Sequence, residues 1–333
     1  MQFTKFNIAN LQPRTVIPTA LSFKMTSTGI STKIAVETYN VGGYLDGRPI
    51  AQLGIIKSSD GQYIATDKNQ KTTSSGHFQT AGIYAYQEVP KSLVDTLHSI
   101  VTNGGYTFAQ QYSWSNGGER TAPFVKTYGS TYNGIVWSPE VQKVADEITP
   151  SYLRDDEALP PAKRLGCRTS NWVVLMNKAT GTRYTIISVH GNSGANDAKR
   201  TRLISALIGE AVAKKFTNPV ILGDFNMKPD TLYALVEHEK CNHRDHFPFQ
   251  NLESYIPEAN KRKITNSNPA DSFFERLDWG LFAKNIVVHG EHIPSFANIP
   301  PPKPDQKVKQ SDHVWVRYIV GGGARPQNPP ATC

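Results

Sequence analysis

Polar residues recur where short apolar strands end, and this pattern constrains the fold more than any other feature of the sequence. Runs typical of strands lie at 33–40, 81–86, 184–189 and 220–222. Strand ends on one side of a sheet share a rim, so residues distant in sequence can converge there. A single polar strand end is explained by turn capping, but the whole set is not. The set comprises Asn40, Glu88, His190, Asp224, Asn226, Asp278, Asp312 and His313.

Short strands and few helices fill one continuous span, from about 33 to 320. Further strands are predicted at 134–137, 277–282 and 314–319, and a hairpin joins 172–176 to 184–189. Helices are predicted at 90–101 and 197–215, and a long polar loop at 57–80. This pattern is typical of sheet packed on sheet with helices outside. We therefore expect an N-terminal arm at 1–32, one domain at 33–320 and a disordered tail at 321–333.

Charge and composition narrow the class of partner. The 333 residues are 38% hydrophobic and 19% charged, which is typical of a globular protein. Thirty-six basic against 28 acidic residues give a net charge of +8. This surplus favours an anionic partner, whether nucleic acid, nucleotide or anionic membrane surface, without choosing among them.

Targeting signals and cysteines point to an intracellular protein. No apolar run near the N-terminus is typical of a secretory signal, and none is long enough to span a membrane. Cys167, Cys241 and Cys333 are an odd number with no close pair, so they predict neither a disulfide framework nor a thiolate metal site. The cytoplasm or nucleus is the expected location, with delivery into a host cell left open. The chain is expected to be a monomer.

The residue types at the expected rim suit the cleavage of a phosphodiester. That reaction needs a hard cation, which oxygen ligands such as carboxylates bind, to neutralise developing charge. It also needs a base for the attacking water and a donor for the oxyanion. A histidine supported by an aspartate can supply the base, because the carboxylate fixes its tautomer and raises its basicity.

Five short motifs in order along the chain resemble the endonuclease/exonuclease/phosphatase superfamily, which includes deoxyribonuclease I. They are Tyr39-Asn40, Gln87-Glu88, Gly223-Asp-Phe-Asn226, Arg276-Leu-Asp278 and Ser311-Asp-His313. The resemblance covers about 33–320. It implies an α/β fold, a four-layered α/β sandwich in which two packed mixed or antiparallel β-sheets are flanked by helices, with the active site on one rim.

The resemblance also implies a divalent metal site. Glu88 would be the main ligand, with Asn40 beside it and Asp312 in the metal shell. The expected ion is Mg²⁺, with Mn²⁺ or Ca²⁺ as alternatives, and the number of ions is left at one or more.

The remaining motif residues would carry the chemistry. By the same resemblance, Asp224 would orient the attacking water and Asn226 would hold a phosphate oxygen. His313, oriented by Asp278, would act as the general base or as an electrophilic partner. His190 would be the second acid/base group and would protonate the leaving oxygen. No acidic partner for it is obvious in the sequence, and Glu119 is the one candidate.

His190 also indicates which branch of the superfamily the sequence resembles. A histidine ending the strand Ser188-Val-His190 resembles the deoxyribonuclease I branch, the sphingomyelinases and the inositol-phosphate phosphatases, and differs from the abasic-site endonucleases. Segments at 163–168, 194–198 and 229–232 resemble the catalytic subunit of cytolethal distending toxin. By that resemblance, the residues that contact substrate phosphate would be Arg164, Arg168 and Asn192.

A Mg²⁺-dependent DNA endonuclease is therefore the leading hypothesis. The basic stretches 199–202 and 261–263 could follow a phosphate backbone, or could be solvated faces. The alternative is a phosphoinositide phosphatase or sphingomyelinase-type lipid phosphodiesterase with the same site, and RNA is a third substrate. A non-catalytic relative that only binds polyanions is disfavoured, because Glu88, Asp224, Asn226, Asp312 and His313 are all present.

Overall fold

The structure is a computed structural model that describes residues 32–40, 55–57, 63–65, 82–90, 107–113, 131–144, 151–153, 170–191, 197–268, 273–293 and 313–321. The predicted arm before Thr32, the tail beyond Gly321 and the predicted helix from 91 onward lie outside these residues. Within the described residues, no helix is both long and apolar enough to cross a membrane.

The first sheet has six strands around a parallel central pair. β1 runs parallel to β4, and every other neighbouring pair in this sheet is antiparallel. In order across the sheet the strands are β15 (Val287–His292), β16 (Val316–Gly321), β1 (Lys33–Asn40), β4 (Gly82–Pro90), β6 (Thr131–Trp137) and β5 (Thr107–Ser113).

The second sheet also has six strands around a parallel pair, β10 and β11. The other pairings are antiparallel, and the two three-residue strands of this sheet both pair with the same neighbour. In order, the strands are β14 (Asp278–Phe282), β11 (Pro219–Asp224), β10 (Arg183–His190), β9 (Ser170–Asn177) and β7 (Val141–Lys143), with β8 (Ser151–Leu153) beside β9. Two small hairpins, β2 (Ile55–Lys57) with β3 (Tyr63–Ala65) and β12 (Asn266–Asn268) with β13 (Phe273–Glu275), complete the strands.

Helices contribute apolar side chains to the core. α1 (Asp197–Ala213) buries Leu203, Ile204, Leu207 and Ile208, which recur at helical spacing. α2 (Pro229–His243) begins with proline in its first turn, where a missing N–H costs nothing. Shorter elements are the helix α3 (Glu258–Lys261) and the single 3₁₀ turns Arg244–His246 and Leu252–Ser254.

The two sheets pack face to face through their central strands. β1 and β4 of the first sheet lie against β10 and β11 of the second. Inward residues of both sheets, such as Val36, Ala85, Ile187 and Ile221, belong to one buried apolar cluster. The predicted α/β sandwich of two packed mixed sheets with helices is confirmed.

Several predicted elements match the structure closely, and three expectations need correction. The β9–β10 hairpin closes as predicted through the turn at 177–182, where Asn177 donates to Thr182. β4 continues through Pro90, so no helix begins at that residue. β3 lies within the stretch predicted as an unbroken loop. Cys241 is disulfide-bonded, although the cysteine spacing predicted no disulfide framework.

Candidate active site

The two parallel strand pairs end at the same place and carry the polar cluster. In the first sheet, Asn40 at the end of β1 is in register with Gln87 of β4, which precedes Glu88. In the second, His190 at the end of β10 is in register with Asp224 at the end of β11. Because the sheets face each other, the carboxyl ends of all four strands meet at one rim.

Asp224 lies at the centre of this cluster and is almost fully buried. Its Oδ2 accepts hydrogen bonds from Asn40 Nδ2 at 2.9 Å and Asn226 Nδ2 at 3.1 Å. Its Oδ1 accepts one from the backbone N–H of Asn226 at 2.8 Å. His190 Nε2 and His313 Nε2 each lie 3.6 Å from Oδ2. One carboxylate therefore contacts four of the predicted site residues.

Burial raises the pKa of the Asp224 carboxyl above its usual value, and the carboxylate of Asp278 raises it as well. The neighbouring His313 and His190 and the hydrogen bond from Asn40 lower it. Burial is the largest of these effects. Asp224 is thus a buried carboxyl whose pKa is set by burial against nearby donors, an arrangement that concentrates at functional sites.

His313 and Asp278 form the predicted pair. His313 Nδ1 lies 2.8 Å from Asp278 Oδ2, and Asp278 is fully buried at the start of β14. On the other side of the ring, Asn266 Nδ2 lies 2.8 Å from Nε2. The carboxylate therefore fixes the imidazole from its Nδ1 side, as a supported histidine requires.

A β-bulge in β4 places Glu88 beside His190. The β4–β6 register shifts between Tyr86 and Val89, so the regular alternation of faces is broken there. Gln87 Nε2 donates to Ser188 Oγ at 3.2 Å, and Glu88 Oε1 lies 3.0 Å from His190 Nε2. Two consecutive residues thus contact the same strand, which a regular strand would not permit.

Close backbone approach explains the glycines in the motifs. A Cβ atom at Gly223 would overlap the carbonyl oxygen of Val189, and one at Gly191 would overlap that of Phe225. The N–H of Gly191 donates to the carbonyl of Asp224 at 2.6 Å. Glycine at both positions lets β10 and β11 approach closely as they enter the rim.

Asn226 reverses the chain directly after the strand. Its φ of 52° is in the left-handed region, which asparagine tolerates better than most residues. Its side chain donates to the carbonyl of Gly191 at 2.9 Å as well as to Asp224. The residue therefore joins the ends of β10 and β11.

The structure brings together Asn40, Glu88, His190, Asp224, Asn226, Asp278 and His313. Arg164, Arg168, Asn192 and Asp312 lie outside the described residues, so their predicted roles stay predictions. Sequence reasoning offered only Glu119, outside the described residues, as an acidic partner for His190, and the structure has Glu88 and Asp224 beside it. It also missed Asn266, whose contact with His313 spans 47 residues of sequence.

The donor chemistry at the rim suits a hard divalent cation. Of the described carboxylates in the rim cluster, Glu88 is the most open to solvent, at 26% exposure against 2% for Asp224. Magnesium takes one or two carboxylates and keeps several waters, so Glu88 with the amide oxygen of Asn40 fits that preference. Within the part of the chain that is described, no group of three or more His, Cys, Asp or Glu side chains forms a ready cation cage.

The basic stretch at 261–263 is engaged within the protein. Lys261 Nζ lies 4.3 Å from the centre of the Tyr233 ring, and Lys263 Nζ donates to a backbone carbonyl. Arg262 pairs with Asp230 at 3.0 Å, and both side chains are largely exposed. Such an exposed pair contributes little to stability, so Arg262 can exchange this partner for another anion.

Comparisons with known proteins agree on the fold. No family model matches the chain, and no curated relative matches it. Among solved structures, an endonuclease/exonuclease/phosphatase from Bacteroides vulgatus is 15% identical with a TM-score of 0.54, over 86% of this chain and 98% of its own. A humanized D. rerio TDP2 is 13% identical with a TM-score of 0.53, over 88% and 100%. The human Nocturnin catalytic domain with bound sulfate is 12% identical with a TM-score of 0.51, over 88% and 95%. The chain therefore has the fold of the endonuclease/exonuclease/phosphatase superfamily, as its motifs predicted.

Proposed function

We propose that this chain is a divalent-metal-dependent phosphodiesterase that cleaves DNA as an endonuclease. The observation that carries the proposal is the rim cluster, in which the His313–Asp278 pair and His190 both approach the buried Asp224. Two histidines, a buried carboxylate and a more open carboxylate are the groups that phosphodiester hydrolysis needs.

The proposed roles follow from the contacts. Asp224, with its acceptor oxygens held by Asn40 and Asn226, would orient the attacking water. His313, oriented by Asp278 at Nδ1, would act as the general base or as an electrophilic partner. His190 would move a proton to or from the leaving oxygen, and its contact with Glu88 would hold the ring in place.

Glu88 and Asn40 would hold the metal ion, with Asp312 as a further ligand. A bound divalent cation would neutralise the charge that develops on the phosphate. Glu88 is suited to this role because, among the described carboxylates of the cluster, its side chain is the most exposed.

DNA is the favoured substrate for two reasons. The net charge of +8 suits a polyanion, because phosphate contacts dominate affinity for nucleic acid. A D. rerio TDP2 structure with the same fold was determined with a single-strand DNA product, at 12% identity and a TM-score of 0.52 over 87% of this chain. Arg164, Arg168 and Asn192 are the residues proposed to contact substrate phosphate.

Nicking of supercoiled plasmid tests the proposal. Wild type with Mg²⁺ is expected to convert the plasmid to open circles, and EDTA is expected to stop the reaction. His190→Ala should slow nicking by about 10²- to 10⁴-fold, as the loss of an acid/base group does. His238→Ala, which removes an exposed histidine of α2, is the matched control and should leave the rate unchanged.

Parallel assays separate the substrates. Absence of metal-dependent nicking together with phosphate release from a phosphoinositide, or head-group release from sphingomyelin, would replace DNA by a lipid substrate. Cleavage confined to single-stranded RNA would do the same for RNA. For DNA, the rate at limiting enzyme should fall steeply with salt, because bound phosphates release counterions.

A further inference from the structure

Two neighbouring residues outside the recognised motifs contact both halves of the His313–Asp278 pair. Thr265 and Asn266 lie at the start of β12 and are 0% and 5% exposed. Neither was expected to take part in the site. Their contacts are made by both side chains and backbone, so they constrain the two catalytic segments together.

Thr265 joins the segment carrying Asp278 to the segment carrying His313. Its Oγ1 accepts hydrogen bonds from the N–H groups of Leu277 at 2.9 Å and Asp278 at 3.1 Å. Its carbonyl accepts from the N–H of Val314 at 2.8 Å. One buried side chain thus satisfies two buried donors, and its own backbone positions the residue after His313.

Asn266 contacts His313 directly. The two residues form an isolated antiparallel bridge, and Asn266 Nδ2 lies 2.8 Å from His313 Nε2. Asp278 holds Nδ1 at the same distance. The imidazole is therefore fixed from both ring nitrogens, which sets the rotation of the ring as well as its location.

The other end of the Asn266 amide supports a role beyond packing. Its Oδ1 is buried and has no hydrogen-bond partner among the described residues. A buried polar atom without a partner is costly and usually has a functional explanation. Among the described residues, the contact with His313 is therefore the hydrogen bond that this side chain makes.

We propose that Thr265 and Asn266 form a clamp that positions His313 against Asp278 and Asp224. Asn266 is a positioning residue that acts through the imidazole, and Thr265 fixes the two backbone segments. The kinetic part of this inference rests on the proposed phosphodiesterase function. Since small displacements of a reacting group lower rates strongly, losing the Asn266 contact should cost about 10- to 100-fold in kcat.

Substitution by leucine separates positioning from packing. Asn266→Leu keeps a similar volume without a donor, and we expect kcat for plasmid nicking to fall about 10- to 100-fold with KM within about twofold. Asn260→Leu, in α3 away from His313, is the matched control and should retain wild-type kcat. A wild-type kcat in Asn266→Leu would overturn the clamp.

Variants of Thr265 provide a second test of the clamp that does not depend on Asn266→Leu. Thr265→Ser preserves the acceptor oxygen and should retain kcat within about threefold, whereas the isosteric Thr265→Val removes it and should lower kcat at least about tenfold. Should Thr265→Val fail to fold, the comparison rests on Thr265→Ser and Asn266→Leu. Equal kcat in folded Thr265→Ser and Thr265→Val would count against the clamp.

A measurement on the ring itself distinguishes failure of the clamp from failure of the proposed function. In NMR spectra, the His313 Nδ1–H proton should be protected from solvent exchange in wild type and in Asn260→Leu. It should exchange at least about tenfold faster in Asn266→Leu, because the ring is then held on one side only. An inactive wild type with this pattern would reject the phosphodiesterase and retain the clamp. Unchanged exchange in Asn266→Leu would reject the clamp whatever the activity.

Discussion

Two site residues have a left-handed backbone conformation, which most amino acids other than glycine and asparagine avoid. Glu88 has a φ of 53° and Asn226 one of 52°. Asparagine visits the left-handed region readily, but a glutamate there is strained. Such strain concentrates at functional sites and persists where the surroundings enforce it. At Glu88, the enforcing feature is the bulge in β4.

The strain at Glu88 predicts that glycine at this position raises stability relative to alanine, although both substitutions abolish activity. Glu88→Gly and Glu88→Ala should both abolish metal-dependent nicking, because each removes the proposed ligand. The glycine variant should be more stable than the alanine variant by about 1 to 2 kcal/mol, since only alanine keeps the left-handed penalty. Urea unfolding of the two proteins measures the difference.

Lys215 offers a matched control for that comparison. It has a φ of 52° at the exposed end of α1, away from the rim. Lys215→Gly and Lys215→Ala should differ in stability in the same direction, with nicking unchanged in both. Equal stability of the two Glu88 variants, beside a clear difference at Lys215, would contradict strain at Glu88.

His292 predicts a pH dependence of stability. Burial lowers its pKa below the usual 6.5, and the nearby Lys263 and Arg317 lower it further, against the opposing effect of Glu37. Between the folded pKa and 6.5 the unfolded chain binds more protons, so stability rises with pH there. The contribution is fully present above about 6.5 and is lost as pH falls through the folded pKa.

His292→Phe tests this without losing the ring that packs at 5.2 Å against Trp315. Between pH 5 and 8, urea unfolding of the variant should depend less on pH than that of wild type. The same substitution at the exposed His238 is the control. An identical slope in wild type and His292→Phe would show that this histidine does not contribute.

Among the secondary-structure elements, the approach of β10 to β11 depends on glycine. Gly223→Ala would force the strands apart at the carbonyl of Val189, and we expect a loss of at least about 2 kcal/mol in the free energy of unfolding. Gly209→Ala is the opposite case. Its Cβ would meet no atom within 4 Å, in the middle of α1, so it should stabilise by about 0.5 to 1 kcal/mol.

Thermal unfolding of both glycine variants provides the measurement. Because the same methyl group is added in each, opposite signs isolate the steric effect from the change in the unfolded chain. A stabilised Gly223→Ala would mean that the β10–β11 approach is looser than the contacts with Val189 indicate.

Elements with simple periodicity could be predicted from the sequence, and irregular ones could not. β11 is an all-apolar run and β9–β10 a hairpin with a clear turn, so both were predicted nearly to their ends. β15, the sequence Val-Val-His-Gly-Glu-His, has no apolar run and was missed. The bulge in β4 breaks the twofold alternation that predictions rely on, so the placement of Glu88 beside His190 could not be foreseen.

Some residues of the candidate site could likewise be predicted from the sequence, and others could not. Strand-end residues such as Asn40 and Asp224 follow recognisable apolar runs, and the structure brings them within 2.9 Å. Thr265 and Asn266 precede no such run and act through contacts distant in sequence. Their role depends on tertiary pairing, which local patterns do not encode.

At the scale of the whole molecule, a buried polar chain links the two sheets beneath the rim. Thr38 Oγ1 donates to Gln87 Oε1 at 3.0 Å, and Gln87 Nε2 donates to Ser188 Oγ at 3.2 Å. Thr38 and Ser188 lie two residues before Asn40 and His190 on the same strand faces. This polar chain of Thr38, Gln87 and Ser188 thus crosses from β1 and β4 to β10, one layer below Asn40 and His190.

This polar chain predicts non-additive effects on stability. Gln87→Met alone leaves the buried hydroxyls of Thr38 and Ser188 without these partners, which should cost about 2 to 4 kcal/mol. The triple variant with Thr38→Val and Ser188→Ala removes every polar group of the chain while largely keeping its volume, so its stability should return to within about 1 kcal/mol of wild type. Urea unfolding of the single and triple variants measures this coupling. Costs that simply add would mean that the three side chains pack independently and that this polar chain does not couple the sheets.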